Sequence, residues 1–203
     1  MTAAIRLAGQ ADAVAIASIY APFCEATAVS FEEVAPSPAE MARRIHATTE
    51  RLPWLVLNDD GTTTGYCYAS PHRDRAAYRW SVDTTVYIGP EYRRRGVGRA
   101  LYAAILAVLG RQGYAKAYAG ITLPNPASVG LHEAMGFRLV GVYRGVGYKL
   151  GAWHDVAWYQ APLRPEQTAP EEPRPLSAVA DSAEWVEAMA AGLTCYRRCS
   201  PWA

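Results

Sequence analysis

Between Arg93 and Arg99 the chain reads RRRGVGR, four arginines and two glycines in seven residues. Arginine carries a planar fork of donors and a fixed charge, which suits phosphate oxygens. Glycine at positions 96 and 98 removes the Cβ atoms that would keep a phosphate away from the backbone. Behind them Leu101, Ile105, Val108 and Leu109 recur at helical spacing. A helix entrance offers unpaired N–H groups and the positive end of the helix dipole, so this loop reads as a phosphate site. It is not a Walker A loop, because no Gly-Lys-Ser/Thr follows, nor a dinucleotide fingerprint, because the third glycine of G-x-G-x-x-G is missing. The plain alternative is a solvated basic turn before an ordinary helix.

A second basic pair stands upstream in SPHRDRAAYRW. Arg73 and Arg75 are two residues apart, so in extended chain they point the same way. Two guanidinium groups on one side suit a small molecule with clustered oxygens, such as a carboxylate together with a phosphinate or sulfone. A solvent-facing basic loop is the alternative.

These arginines must be read locally, because the chain of 203 residues has a formal net charge of only +1. That balance argues against a general nucleic-acid binder. The longest nearly apolar run, Leu101 to Leu109, is far short of the ~20 residues that span a bilayer. Asp12 interrupts the one N-terminal segment that could resemble a signal peptide. Cys24 and Cys67 sit among apolar residues and read as reduced, buried thiols. Cys195 and Cys199 lack the further Cys/His pair of a zinc site, so no metal is expected. The expected protein is cytoplasmic, with no membrane or nucleic-acid partner.

The elements that position these groups alternate. A helix capped by Asp12 carries Val14, Ile16, Ile19, Tyr20 and Phe23. Ser37-Pro38-Ala39-Glu40 forms a capping box before Met41 and Ile45. Trp54–Leu57 and Gly65–Ala69 form a hairpin around Asn58-Asp59-Asp60-Gly61. Val82–Ile88 is a strand that feeds the arginine-glycine loop and its helix. Ala115–Leu123 is strand-like, and Asn125-Pro126 opens a helix that stops at Gly136. Phe137–Val142 and Val156–Leu163 are the last strands. The result is an α/β domain of about 160 residues with a mixed sheet.

The spacing Arg93-x-x-Gly96-x-Gly98 resembles the pyrophosphate loop of the GNAT N-acetyltransferase superfamily. The blocks YRWSVDTTVYIGPEYRRRGVGRALY, TLPNPASVGLHEAMGF and KLGAWHDVAWYQ, with PWLV upstream, are similar to the phosphinothricin N-acetyltransferase family in order and spacing. The resemblance covers residues from about Ile5 to Leu163. It implies a GNAT-type α/β fold, with a mixed, mostly antiparallel sheet flanked by helices and a C-terminal extension. It also implies acetyl-CoA as co-substrate.

By the same resemblance, Val86, Tyr87 and Ile88 present their backbone to the pantetheine arm. Arg94, Arg95, Gly96, Val97, Gly98, Arg99 and Ala100 take the pyrophosphate. Asn125 contacts the cofactor as well as capping its helix. The family's catalytic glutamate is matched here by Asp83, a carboxylate one methylene shorter. His132 aligns with a family histidine and is a second candidate base, with an ordinary pKa suited to neutrality. Tyr143, Tyr148 and Tyr159 are candidate acids for the leaving thiolate. Arg73, Arg75, Tyr78, Thr84 and Thr85 are implied for a small amino-acid-like amine of the phosphinothricin, methionine sulfone or methionine sulfoximine type. A homodimer is implied too, with Trp153 and His154 near its interface. The alternative function is a non-catalytic acyl-CoA-binding or interaction module, which the aspartate and the extra C-terminal segment favour.

That segment, residues 164–203, lies outside the resemblance. Pro162, Pro165, Pro170, Pro173 and Pro175 mark an extended linker. Asp181 to Glu184 then reads as a capping box for a short helix with Trp185, Met189 and Leu193 on one side. It could dock on its own domain, on a second subunit or on another protein.

Overall fold

The computed structural model describes residues 3–198. Its seven strands are β1 (Ala3–Leu7), β2 (Trp54–Asp59), β3 (Thr62–Pro71), β4 (Ser81–Ile88), β5 (Lys116–Thr122), β6 (Arg138–Lys149) and β7 (Ala152–Pro162). They form one sheet in the order β1-β2-β3-β4-β5-β7-β6. Among the described residues only the β4–β5 pairing is parallel; the other neighbours run antiparallel. This is the mixed, mostly antiparallel sheet that the sequence implied.

Helices cover both faces. On one side lie α1 (Ala13–Glu25) and α2 (Pro38–Thr49), over a core of Ile16, Met41, Trp54, Val56, Tyr66 and Tyr87. On the other lies α3 (Val97–Gln112), whose Leu101, Ile105 and Leu109 are fully buried against Leu55, Leu57 and Cys67. The alternation along each strand sorts its side chains between these two cores. A fourth helix, α4 (Pro126–Ala134), follows β5.

α5 (Ala183–Arg198) lies against α3, and Trp185, Ala188 and Met189 join the α3 core. Gly192 lets the two helices touch, since a Cβ there would stand 2.6 Å from the Ala100 carbonyl oxygen. The proline-rich segment is tied down by Trp80 Nε1–H donating to the Glu171 carbonyl and by Arg174 N–H donating to that of Gln112. Docking on its own chain is therefore the outcome for this helix. Cys199 lies outside the described residues.

Several caps differ from expectation. Asp12 does not cap α1 with its side chain. Its carboxylate instead accepts from Gly9 N–H and from both ends of the Arg6 guanidinium, at 2.7–2.8 Å. Ser37 Oγ accepts from Glu40 N–H, but the Glu40 carboxylate turns to Arg43 and Arg44, so only half of the box forms. At α5 the cap is Ser182, whose Oγ accepts from Trp185 N–H, while Asp181 takes a left-handed conformation.

The last two strands run much further than expected, meeting at a tight turn of Leu150 and Gly151, both at positive φ. A register shift between Tyr143 and Gly147, with Gly145 at φ +51°, breaks the alternation that would have revealed them. β1, five residues long, has too little pattern to stand out.

Candidate active site

The parallel pairing of β4 and β5 ends at Asp83 opposite Tyr118. Beyond that point β4 continues to pair with β3 as far as Ile88, while β5 pairs with β7. The two strands diverge, leaving one backbone edge of β4 from Thr84 onward without a sheet partner. Buried backbone donors and acceptors need partners, so such an edge suits a bound chain that carries amides of its own. A cavity of about 60 Å³ occupies the opening. Thr84, Thr85, Val86, Tyr87, Asn125 and His132 all line it, together with Tyr102 and residues 119–122 of β5.

At the far end of β4 stands the arginine-glycine loop. Gly96 adopts φ +80° as the cap of α3, and Arg94 takes φ +63° without being glycine. The first intrahelical bond runs from Ala100 N–H to the Gly96 carbonyl at 3.0 Å. The N–H groups of Val97, Gly98 and Arg99 precede it and belong to the unpaired first turn. Arg94, Arg95 and Arg99 are exposed around them, with Arg95 over the Tyr92 ring and Arg93 over that of Phe23. Gly98 is required by packing: a Cβ there would meet Leu131 Cδ2 at 2.9 Å and Ile88 Cδ1 at 3.0 Å. Unpaired amides, the helix dipole and three exposed guanidinium groups fit a pyrophosphate.

Asn125 caps α4, accepting from Ser128 N–H at 3.1 Å, so its role as a helix cap is present. His132 is buried on α4. Its Nδ1 lies 2.7 Å from the Ser128 carbonyl, which fixes the proton on Nδ1, and its Nε2 lies 2.8 Å from Tyr102 Oη. Burial lowers its pKa, against the pull of the Ser128 carbonyl. With its Nε2 lone pair facing a tyrosine hydroxyl, this imidazole is poorly placed to take a proton from a ligand directly. Burial holds the Tyr102 phenol protonated, its pKa raised.

The acceptor residues cluster at the fork's apex. Asp83 Oδ1 is 2.6 Å from Nδ1 of His72, a residue that the sequence reading passed over in favour of its arginine neighbours. The His72 ring stacks on Tyr118 at 4.2 Å and meets Trp158 and Tyr78 edge-on at 5.9 and 6.0 Å. The Arg73 guanidinium lies over the Trp158 ring at 5.4 Å. The Trp158 indole N–H is buried with no hydrogen-bond partner among the described residues. Burial pushes the Asp83 carboxyl above its ordinary range, while the His72 hydrogen bond and the charges of His72 and Arg73 pull the other way. Arg75 and Tyr78 flank an exposed single turn, with Tyr78 N–H donating to the Arg75 carbonyl. A signal for His72 was present: Tyr66, Tyr68, Ser70 and His72 fall on one face at period two, and Ser70 pairs with Asp83.

The candidate acids separate. Tyr159 is buried in the α3 core, whereas Tyr143 and Tyr148 are exposed on β6. Nearby, Lys149 is buried and donates to the carbonyls of Cys24, Ser30 and Glu32 at 2.5–2.7 Å, fastening the segment between α1 and α2. Val29 of that segment lines the cavity. No cluster of metal ligands occurs among the described residues.

Comparison with known proteins agrees with this geometry. The profile of the acetyltransferase (GNAT) domain matches residues 5–158. A phosphinothricin N-acetyltransferase of Streptomyces viridochromogenes is 38% identical over 86% of this chain and 93% of its own. An L-methionine sulfoximine/L-methionine sulfone acetyltransferase of Pseudomonas paraeruginosa is 33% identical over 84% of this chain and 100% of its own. The crystal structure of a GNAT superfamily phosphinothricin acetyltransferase from Sinorhizobium meliloti, in complex with acetyl-CoA, superposes with a TM-score of 0.80. It shares 38% identity and covers 85% of this chain and 95% of that one. These relatives support catalysis rather than a non-catalytic binding module. A profile match over most of the chain and relatives above 30% identity place this protein in the GNAT acetyltransferase family, as an acetyl-CoA-dependent N-acetyltransferase.

Proposed function

We propose that the acceptor is a small amino-acid-like amine bearing a second oxygen-rich group, of the phosphinothricin, methionine sulfone or methionine sulfoximine type. The observation that carries this reading is the fork between β4 and β5. A carboxylate stands at its apex holding His72, arginine and a buried, unpaired indole lie around that imidazole, and a phosphate-binding helix entrance stands at the far end of β4. The relatives named for such acceptors support the same class.

In this reading the loop from Arg94 to Ala100 binds the pyrophosphate, and the open edge of Val86, Tyr87 and Ile88 pairs with pantetheine amides. Asn125 closes the other wall. Arg73, Arg75 and Tyr78 hold the acceptor's oxygens, with Thr84 and Thr85 beside the reacting carbonyl. Asp83 is the carboxylate end of proton removal from the amine, a step required because an ammonium has no lone pair. His132 holds Tyr102 in the cavity wall.

The active form is a homodimer. The support is apolar surface on edge strand β6, its turn and the start of β7, where Val140, Tyr143, Tyr148, Leu150 and Trp153 are all more than half exposed. The protein acts in the cytoplasm, in keeping with free thiols at Cys24 and Cys67. Among the described residues no helix is long and apolar enough to cross a membrane.

Mass spectrometry after incubation with acetyl-CoA tests the acceptor class. The expected product is the amine-acetylated form of phosphinothricin, methionine sulfone or methionine sulfoximine. Acetylation of ordinary amino acids at higher rates than any of these three, or with none of the three acetylated, would overturn the assignment.

A further inference from the structure

We propose that His72 is the proton acceptor for the amine, and that Asp83 is a positioning residue that holds and polarises it. The inference rests on the acetyltransferase reading and names the atom that performs its proton transfer.

Asp83 is one methylene shorter than the glutamate of the resembling family, and its Oδ1 is committed to His72 Nδ1 at 2.6 Å. A carboxylate facing Nδ1 fixes the proton on that nitrogen and leaves the lone pair on Nε2. Nε2 has no protein hydrogen-bond partner among the described residues. The ring's orientation is set by three aromatic neighbours, stacking on Tyr118 and meeting Trp158 and Tyr78 by their edges. The missing methylene is thus replaced by a longer arm, an imidazole on the adjacent strand end, locked in one tautomer and one plane. The same carboxylate stabilises the imidazolium when it forms, the logic of an Asp–His pair in nucleophilic catalysis.

The ammonium gives one proton to His72 Nε2. The freed lone pair forms the C–N bond to the thioester carbonyl carbon as the C=O π pair moves to oxygen. When that pair returns, the C–S bond breaks and its electrons leave on sulfur. The second nitrogen proton passes to the departing thiolate, and the proton on His72 goes to solvent. The products are the amide, the free thiol and one proton.

Two variants separate catalysis from mere structure. His72→Asn keeps a donor near the position of Nδ1 and offers no base. His72→Ala leaves a ring-shaped gap on Tyr118. Both are expected to lose about 10²–10⁴-fold in kcat, with KM for acetyl-CoA changed by less than about twofold. Free imidazole is expected to restore part of the rate of His72→Ala and none of that of His72→Asn. Asp83→Asn should fall comparably, because its amide donates to Nδ1 and imposes the other tautomer. If His72→Asn keeps its rate within about threefold of the unchanged protein, the proposal fails while the acetyltransferase reading stands. A loss in folded His72→Ala that imidazole does not relieve also overturns it, leaving His72 a structural partner of Asp83. Absence of turnover by the unchanged protein on any amine overturns both readings together.

Discussion

Asp83 and His72 meet because β3 and β4 form an antiparallel pair in which Ser70 faces Asp83, placing residue 72 one step diagonal on the same face. At 2.6 Å there is no room for an added methylene. Asp83→Glu should therefore lower kcat by about tenfold or more, since displacing a reacting group by about 1 Å is costly. Steady-state rates check this, and a faster variant would mean that the carboxylate acts alone. The loop permits a second residue-scale prediction. Gly96 sits at φ +80°, where a Cβ costs roughly 1–2 kcal/mol. Gly96→Ala should weaken acetyl-CoA binding in calorimetry, and unchanged affinity would contradict the pyrophosphate assignment. At this scale the sequence was legible where residue type carries the chemistry by itself, as in the arginines and glycines. It carried no more than a period-two hint where chemistry depends on pairing. His72 is a lone histidine in a polar stretch until β3 and β4 bring it against Asp83. Gly98 was read as room for phosphate, but Leu131 and Ile88 fill the space its side chain would take.

Among the elements, alternation and caps located most helices and the central strands. They failed where a local device interrupts the period. The bulge around Gly145 concealed half of β6, and Phe31 lies where a Cβ at Gly147 would be, at 2.2 Å from its ring. The C-terminal helix is the other element that spacing alone could not place. Its apolar side was visible, but its partner, α3, lies far away in sequence. We propose that the linker and helix of residues 164–198 stabilise the domain before them rather than form a unit of their own. Trp185 is 8% exposed within the α3 core, so Trp185→Ala should cost about 3 kcal/mol. Urea unfolding measures it, and a change below about 0.5 kcal/mol, as at a plain surface site, would mean that the helix contributes nothing to the fold. Lys149 performs a similar service on the other face. Lys149→Met leaves three carbonyls unpaired, at about 1–3 kcal/mol each before relaxation. It should loosen the segment around Val29 as seen by hydrogen exchange.

Across the whole molecule, charge is nearly balanced, and ion pairs such as Arg6–Asp12 and Arg111–Glu187 tie elements to one another. Asp12 illustrates the sign. Burial alone would raise its pKa, but the Arg6 guanidinium and the Gly9 N–H outweigh that and hold it below the usual range. A carboxylate lowered in the folded state stabilises above the unfolded value of about 4 and loses that contribution as pH falls through the folded value. Stability should therefore decline below about pH 4, and Asp12→Asn should remove part of that decline, at a cost near neutrality of about 1–2 kcal/mol because Arg6 is half exposed. The apolar surface of β6 makes the assembly testable as well. Sedimentation should show a dimer, and Trp153→Glu should yield monomers.

At the β4–β5 fork the enzyme should turn over a small oxygen-rich amino acid, a prediction with a direct test. That test is thiol release from acetyl-CoA with phosphinothricin, methionine sulfone, methionine sulfoximine and common amino acids as acceptors. Release is expected with at least one of the first three, reduced about 10²-fold or more in Asp83→Ala while acetyl-CoA still binds. Tight acetyl-CoA binding with no release on any of them, or release untouched by Asp83→Ala, would contradict it.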